Sequence, residues 1–428
     1  MNKLLLKASA IFSHPLARGS LIVLIGSTIA NIGAYAYHLV VGRMLGPVSY
    51  GELASLFSFS YILNVPSLVL QTVLTKYIAG FRAKNEIGKA KNLSVSMMRW
   101  LALAGAAGLI VIIPFMWLLA DFLHITRPIS ILFMYLTSAL WLVTVVQTSL
   151  LQGFQMFTAA MVLTNVTTLL RLIGGVIGAG MGVVETVIAG FVTGVGGFIA
   201  YFIPLRFVYS AKGTPTGIAR SDMISYSLPG AVTMLGITSL YSTDILLAKH
   251  YLPPVEAGYY AALSVMGKIV YFASSSVSYV LFPVVAERAK EQVGSHKLVY
   301  SALFAVLGVS GVITLMYFFM PDIALGLLFG APYYPAAPFL GWMGVFLSLY
   351  SLSYVLVMTL LGRGNTVVWR FVAGAALLQI AAIVFFHRDI LSIIAASTVV
   401  NAGLFTGLLL YYRQVVHAAL PPGKQKSP

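Results

Sequence analysis

The 428-residue chain carries 26 Lys and Arg against 11 Asp and Glu, a formal net charge of +15, yet only 9% of its residues are charged, 59% are hydrophobic and the mean hydropathy is +0.94. That balance excludes a soluble domain and reads as a polytopic membrane protein. A nucleic-acid partner would need the bases on one solvated face, whereas here they fall between apolar stretches; the absence of cysteine excludes disulfides, thiolate metal sites and cysteine nucleophiles.

Residues 1–19 hold Lys3, Lys7 and Arg18 around a short apolar run, Leu4 to Phe12, too short to cross a bilayer. We read them as a cytoplasmic interfacial segment rather than a signal peptide, because no small-residue cleavage site precedes the next apolar stretch. Apolar runs near the length a spanning helix needs then follow at 20–42, 51–79, 97–119, 128–150, 158–180, 184–207, 224–250, 258–286, 298–320, 336–361, 366–387 and 390–412. The expected fold class is all-α: about twelve transmembrane helices in two pseudo-symmetric six-helix lobes. The lobes are 20–209 and 224–412, joined by a basic cytoplasmic linker, 210–223, and followed by a cytoplasmic tail, 413–428.

Loop charge alternates along this series. One side receives Lys3, Lys7 and Arg18, the cluster Arg82 to Arg99, then Arg206, Lys212, Arg220, Arg288, Lys290, Lys297, Arg363, Arg413, Lys424 and Lys426; the other receives Arg43, Arg127, Lys249 and Arg388. Positive-inside bias therefore places both termini in the cytoplasm. The exoplasmic loops are short, the longest being Pro321 to Pro335, and none holds the paired carboxylates of a membrane glycosyltransferase or polymerase. Seven scattered histidines, no metal-ligand spacing and no phosphate-cradling loop leave no enzyme, metal site or cofactor in the reading. Gly174, Gly175, Gly178, Gly180 and Gly182 read as close helix packing.

The stretch 20–79 aligns without a gap to 227–286. Matches include Leu45 with Leu252, Pro47 with Pro254, Val48 with Val255, Gly51 with Gly258, Ala54 with Ala261 and Ser67 with Ser274, and both copies end in a basic cytoplasmic loop. Two halves running in the same direction imply a pseudo-two-fold axis along the membrane normal, an arrangement in which transporters bind substrate between halves and rock them.

Gly42-Arg43-Met44-Leu45-Gly46-Pro47 with Tyr50-Gly51, Leu151-Gln152-Gly153, Asp244 with Gly258-Tyr259-Tyr260-Ala261-Ala262, and Leu328-Phe329-Gly330 with Tyr333-Tyr334 together resemble the polysaccharide-repeat flippases. These are the Wzx-type branch of the multidrug/oligosaccharidyl-lipid/polysaccharide exporter superfamily, and the resemblance spans almost the whole chain. It implies a bundle of two six-helix lobes in a bacterial or archaeal cytoplasmic membrane, moving undecaprenyl-diphosphate-linked oligosaccharide to the exoplasmic leaflet. The expected partners are that lipid-linked oligosaccharide, membrane lipids and glycan-assembly proteins, for a monomeric chain. The sequence departs from its own first copy at Lys249-His250-Tyr251-Leu252-Pro253, which lacks the small residues of the earlier turn.

A diphosphate crossing the bilayer needs cations in a hydrated cavity, because an unpaired charge in hydrocarbon is costly. Charges inside the runs are few: Arg171, Asp244, Lys249 and Lys268, with Arg43 at the exoplasmic end of the first run. Lys268 lies about 15 Å into its run at 1.5 Å per residue, near the midplane, and Asp244 lies at comparable depth on the neighbouring one. Their counterparts in the first copy are Tyr61 and Tyr37. One reading is a buried ion pair that holds two helices in register. In the other, Arg43, Arg171, Lys249 and Lys268 form the substrate-binding charge and Asp244 takes up a coupling cation or proton. Arg171 lies too deep to snorkel to either face, and it either meets substrate or caps backbone carbonyls.

Pro66, Pro114, Pro229 and Pro283 fall inside runs, and Pro229-Gly230 is the expected hinge, since glycine adds freedom beside the proline break. Two further functions remain open: a multidrug or small-cation exporter of the same fold, and a non-transport scaffold in glycan assembly.

Overall fold

A computed structural model describes residues 15–216, 220–290 and 295–418. Most of the expected interfacial segment, including Lys3 and Lys7, and the end of the tail lie outside the described residues. Those described form fifteen α-helices and one 3-10 turn. In chain order they are α1 Pro15–Leu63, α2 Val65–Ala83, α3 Ile87–Phe122, α4 Ile129–Gly153, α5 Phe157–Ala179, α6 Val183–Ala200, α7 Phe202–Ser210, α8 Arg220–Leu240, α9 Thr243–Tyr251, α10 Pro254–Lys290, α11 Ser295–Phe319, α12 Pro321–Leu328, the 3-10 turn Ala331–Ala336, α13 Ala337–Gly362, α14 Val368–Phe385 and α15 Ile390–Ala418. The apolar runs of the sequence fall mostly on helical residues, with breaks inside 51–79 at Asn64, inside 184–207 at Tyr201 and inside 224–250 at Tyr241 and Ser242. Among the described residues nine helices are long and apolar enough to cross a membrane, ten if the bent pair α8–α9 counts as one span. The outer faces are apolar: Ile110, Trp117, Phe304, Val312 and Phe385 are exposed. Lipid would cover such a belt, and a chain of many such helices is a multi-pass membrane protein.

Two compact units result, and the division cuts the first helix. One unit contains the chain up to Leu45 and Leu63–Ser227; the other contains Gly46–Ile62 and the chain from Leu228 onward. The cut coincides with Gly46, where φ is +70° inside the otherwise helical α1, with Pro47 just after it. Glycine takes that left-handed conformation without a Cβ clash, and proline, which lacks an N–H to lose, restarts the helix.

In the first unit α5 packs on α6 and α4 packs on α2, α3 and α6. Glycine shapes these contacts. A Cβ on Gly26 would sit 2.6 Å from Met161, one on Gly33 2.8 Å from Thr168 and one on Gly178 2.6 Å from the Thr186 backbone. Gly174 and Gly175 also face neighbours closely, whereas Gly180 has only ordinary contacts and Gly182 has φ +143° at the start of α6. The last two therefore serve a turn, which corrects the expectation that all five glycines pack helices. At one end of this unit Leu74, Ile78, Phe81, Met97, Leu150 and Leu205 form a core between α2, α3, α4 and α7. The linker closes over it: Lys91 Nζ donates to the Ala211 carbonyl at 2.8 Å and the Thr214 N–H to that of Gly88 at 3.2 Å.

In the second unit α13 is the central helix, packed by α10, α11 and α15. Of its most apolar window 67% is buried, against at most 39% for the other spans. Gly267 of α10 lets Met343 and Leu347 of α13 come close, at 2.8 and 3.0 Å from where its Cβ would be. The stretch Pro321 to Pro335, read from the sequence as a loop, is instead α12 and the 3-10 turn. Its aromatic residues give it a core: Phe329 and Tyr333 are buried with Tyr50, at ring distances of 5.5 and 6.5 Å from it. Pro66 does not kink a long helix either; the chain breaks at Asn64, and Pro66 sits in the first turn of α2, where a missing N–H costs nothing.

Candidate functional site

The aligned repeat meets itself. A Cβ on Gly51 would lie 3.1 Å from the Gly258 backbone, and one on Gly258 would collide with the Pro47 carbonyl. Further along the same two helices, Lys268 Nζ lies 5.2 Å from the ring centre of Tyr61. The Gly51–Gly258 and Tyr61–Lys268 contacts each join a residue to its repeat counterpart. Two such contacts along the helices mean that these copies run side by side in the same direction.

Around Lys268 the second unit is rich in tyrosine. Its ammonium also lies 5.1 Å from the Tyr241 ring. Tyr241 is near parallel to Tyr271 at 6.2 Å, and both meet Tyr350 edge to face, at 5.6 and 5.1 Å. Lysine over ring faces is a favourable electrostatic contact, strongest where water is excluded. Lys268 is 8% exposed, and no ion pair within 4.0 Å joins it to Asp244. The two form no direct ion pair, and the Asp244 charge acts on Lys268 from beyond that distance.

Asp244 has a different environment. It is fully buried, and Tyr260 of α10 donates a hydrogen bond to its Oδ2 at 2.8 Å. The carboxylate lies in the first turn of α9, just past the break at Tyr241 and Ser242, where α8 and α9 are bent by 40°. The local sequence accounts for the break: Ser242, Thr243 and Asp244 are residues that favour helix starts, and an acid suits the positive end of the α9 dipole. Pro229 and Gly230, the expected hinge, lie within the run of α8, and the bend falls a full three turns later.

Two further helices converge on this break. Gln379 of α14 donates to the Leu240 carbonyl at 3.1 Å, and Asn401 of α15 donates to Gln379 Oε1 at 3.3 Å and to the Ser397 carbonyl at 2.9 Å. Ser397 in turn lies beside the Tyr260 hydroxyl. Asp244 Oδ1, Ser242 Oγ and Asn401 Oδ1 are buried without a hydrogen-bond partner. Buried oxygens in that condition are expensive unless a proton, water or cation meets them. The donor set is hard oxygen with a single carboxylate, which suits a proton or a monovalent cation. Among the described residues no group of three His, Cys, Asp or Glu could hold a metal ion.

The remaining sequence candidates separate. Lys249 is buried in the last turn of α9, with Glu52 as the acid whose charge acts on it. Arg171 belongs to the first unit, its guanidinium 4.9 Å from the ring centre of buried Tyr37. A Cβ on Gly175, one turn along α5, would collide with that same ring, so glycine there opens the seat for Tyr37 under the arginine. Arg43 is exposed in the last turn before Gly46. Asp244, Lys249 and Lys268 thus share the second unit, and Arg171 and Arg43 lie in the first. Sequence reading quoted Tyr260 only as part of a motif and Tyr61 only as a repeat counterpart, and it missed Gln379, Asn401, Tyr241, Tyr271 and Tyr350. Polar residues in the middle of apolar runs were the signal available for Gln379 and Asn401.

No protein family profile and no curated protein matches the sequence. Solved structures do resemble the fold. An inward-facing multidrug resistance MATE family transporter of the MOP superfamily matches with a TM-score of 0.73 and 14% identity, over 95% of this chain and 100% of that one. The lipid II flippase MurJ in an inward closed conformation matches with a TM-score of 0.74 and 13% identity, over 92% and 87%. A MOP superfamily transporter from Pyrococcus furiosus, described as having a binding pocket of reverse polarity, matches with a TM-score of 0.63 and 15% identity, over 96% and 97%. At these identities the likeness establishes the fold, which is that of the MOP superfamily transporters.

Proposed function

We propose that the chain is a flippase that carries undecaprenyl-diphosphate-linked oligosaccharide from the cytoplasmic to the exoplasmic leaflet by alternating access. In this reading it spans a bacterial or archaeal cytoplasmic membrane about twelve times, with both termini in the cytoplasm, as the loop charges favour. The observation that carries it is Lys268: a buried ammonium faced by tyrosine rings, with no carboxylate within ion-pair distance and Asp244 acting on it only from farther away, suits an anionic head group that arrives with the substrate. Lys249, in the same unit, is the other cation assigned to the diphosphate, and Arg171 and Arg43 are proposed to meet the cargo within the first unit. The lipid II flippase among the similar folds makes such a cargo compatible with this architecture.

Asp244 is the ion-coupling residue of this reading. One of its oxygens is held by Tyr260, and the other is buried without a hydrogen-bond partner, as are the side-chain oxygens of Ser242 and Asn401 on the helices that meet at the break. A proton or sodium ion there would satisfy groups that the protein leaves bare, and would do so only when the surrounding helices converge. The chemistry requires no covalent step: the protein binds, shields charge and changes which leaflet the site faces.

Reconstituted flipping of a fluorescent prenyl-diphosphate disaccharide tests the reading. Lys268→Gln lowers the rate at least tenfold, and Asp244→Asn retains binding but loses the dependence on an imposed sodium or pH gradient. Wild-type protein that exports a cationic dye and leaves the disaccharide in place establishes the second reading, a cation exporter, which the buried acid Asp244 favours.

A further inference from the structure

We propose that Tyr241 and Tyr271, with Tyr61 and Tyr354 beside them, form a stacking platform for a pyranose ring whose neighbouring anionic group is held by Lys268. The inference rests on the flippase reading and adds the part of the second unit that senses the sugar. Tyr61, Tyr241, Tyr271 and Tyr354 are each half-buried, so their rings are neither sealed in the core nor fully in solvent. Tyr350, by contrast, is 1% exposed, and its hydroxyl donates to the Ile237 carbonyl at 3.3 Å, which makes it the inner support of the cluster.

The rings hold one another in place. Tyr271 meets Tyr350 at 70° and Tyr354 at 85°, with centroids 5.1 and 5.3 Å apart, and Tyr350 and Tyr354 follow one another on successive turns of α13. Edge-to-face contact is the arrangement that ring quadrupoles prefer. A cluster locked this way offers rigid apolar area with little side-chain freedom left to lose on binding. A pyranose has the complementary form: one face of C–H bonds that packs on an electron-rich ring, and a rim of hydroxyls that tyrosine O–H and water can meet. Purely apolar cargo would not call for a lysine among the rings. Lys268, at 5.1 and 5.2 Å from the ring centres of Tyr241 and Tyr61, puts a three-donor cation over these two rings of the cluster. A phosphate or carboxylate adjoining the sugar fits that cation by charge-assisted hydrogen bonds. Two sources share this chemistry, the diphosphate that links sugar to lipid and the carboxylate of an acidic sugar.

The test uses the full chain in lipid nanodiscs and calorimetric titration with three probes: a geranyl-diphosphate disaccharide, geranyl diphosphate alone, and a free disaccharide containing glucuronic acid. Wild-type protein binds the first probe about tenfold more tightly than the second, a difference of about 1.4 kcal/mol. Tyr271→Leu and Tyr354→Leu each remove that difference and leave geranyl diphosphate binding unchanged. Tyr271→Phe and Tyr354→Phe, which keep the stacking face, retain it within about twofold, and melting temperatures of all four variants confirm that they fold. Lys268→Gln weakening only the diphosphate probes identifies the linker as the anion, and weakening only the glucuronic acid probe identifies the sugar; either supports the site. Leucine variants that bind the first two probes as wild type does, or that lose both equally, overturn the platform while the flippase reading stands. Wild-type protein that binds neither diphosphate probe overturns both.

Discussion

Asp244 has one oxygen bonded to Tyr260 and one left bare, and this asymmetry makes it sensitive to its neighbours. Gln379 is the residue that ties the surrounding helices together, since it donates to the end of α8 and accepts from Asn401. Gln379→Leu would strand the Leu240 carbonyl and an Asn401 donor, a loss of about 1–3 kcal/mol for a buried unsatisfied group. The expected outcome is a lower melting temperature in detergent together with weakened ion dependence, while geranyl diphosphate still binds at Lys268. Asp244 and Lys268 were legible in the sequence because charge inside an apolar run is rare. Tyr260 was not: a tyrosine in such a run is unremarkable until its hydroxyl is found 2.8 Å from a carboxylate.

Helices α1 and α10 repeat the same sequence layout with different punctuation. The first copy turns at Gly46, with φ +70°, and the second turns at extended Leu252 followed by Pro253, the repeat counterpart of Gly46. A proline has φ locked near −65° and cannot take the glycine conformation. Gly46→Pro is therefore expected to abolish the folded, monodisperse protein, whereas Gly46→Ala costs about 1–3 kcal/mol and lowers the melting temperature. Close approach makes a second demand on the same pair. Gly258→Val would drive a side chain into the Pro47 backbone, a rigid neighbour, and is expected to destabilise by about 1–3 kcal/mol or more, read as a lower melting temperature. The shared Pro-Val and Gly positions exposed this pair in the sequence. The break at Tyr241 and Ser242 was not read there, although Ser242-Thr243-Asp244 is a helix-start signal, because continuous hydropathy across 224–250 masked it.

At the scale of the molecule, the lack of cysteine makes orientation directly measurable. A single cysteine at Gly213, in the basic linker, is expected to react with a membrane-impermeant maleimide only in inverted vesicles. One at Arg388, in the sparsely charged connection between α14 and α15, is expected to react in intact cells. The reverse pattern would overturn the cytoplasmic placement of the termini. Membrane class and the repeat were properties the sequence by itself determined, because hydropathy, loop charge and spacing are local and add along the chain. Only the tertiary structure decided that Asp244 bonds Tyr260 rather than pairing with Lys268, that Gln379 and Asn401 join it, and that tyrosines far apart in the chain enclose one lysine. The physical reason is that helix packing sets which faces meet, and side-chain rotamers settle contacts of a few ångströms that no periodicity encodes.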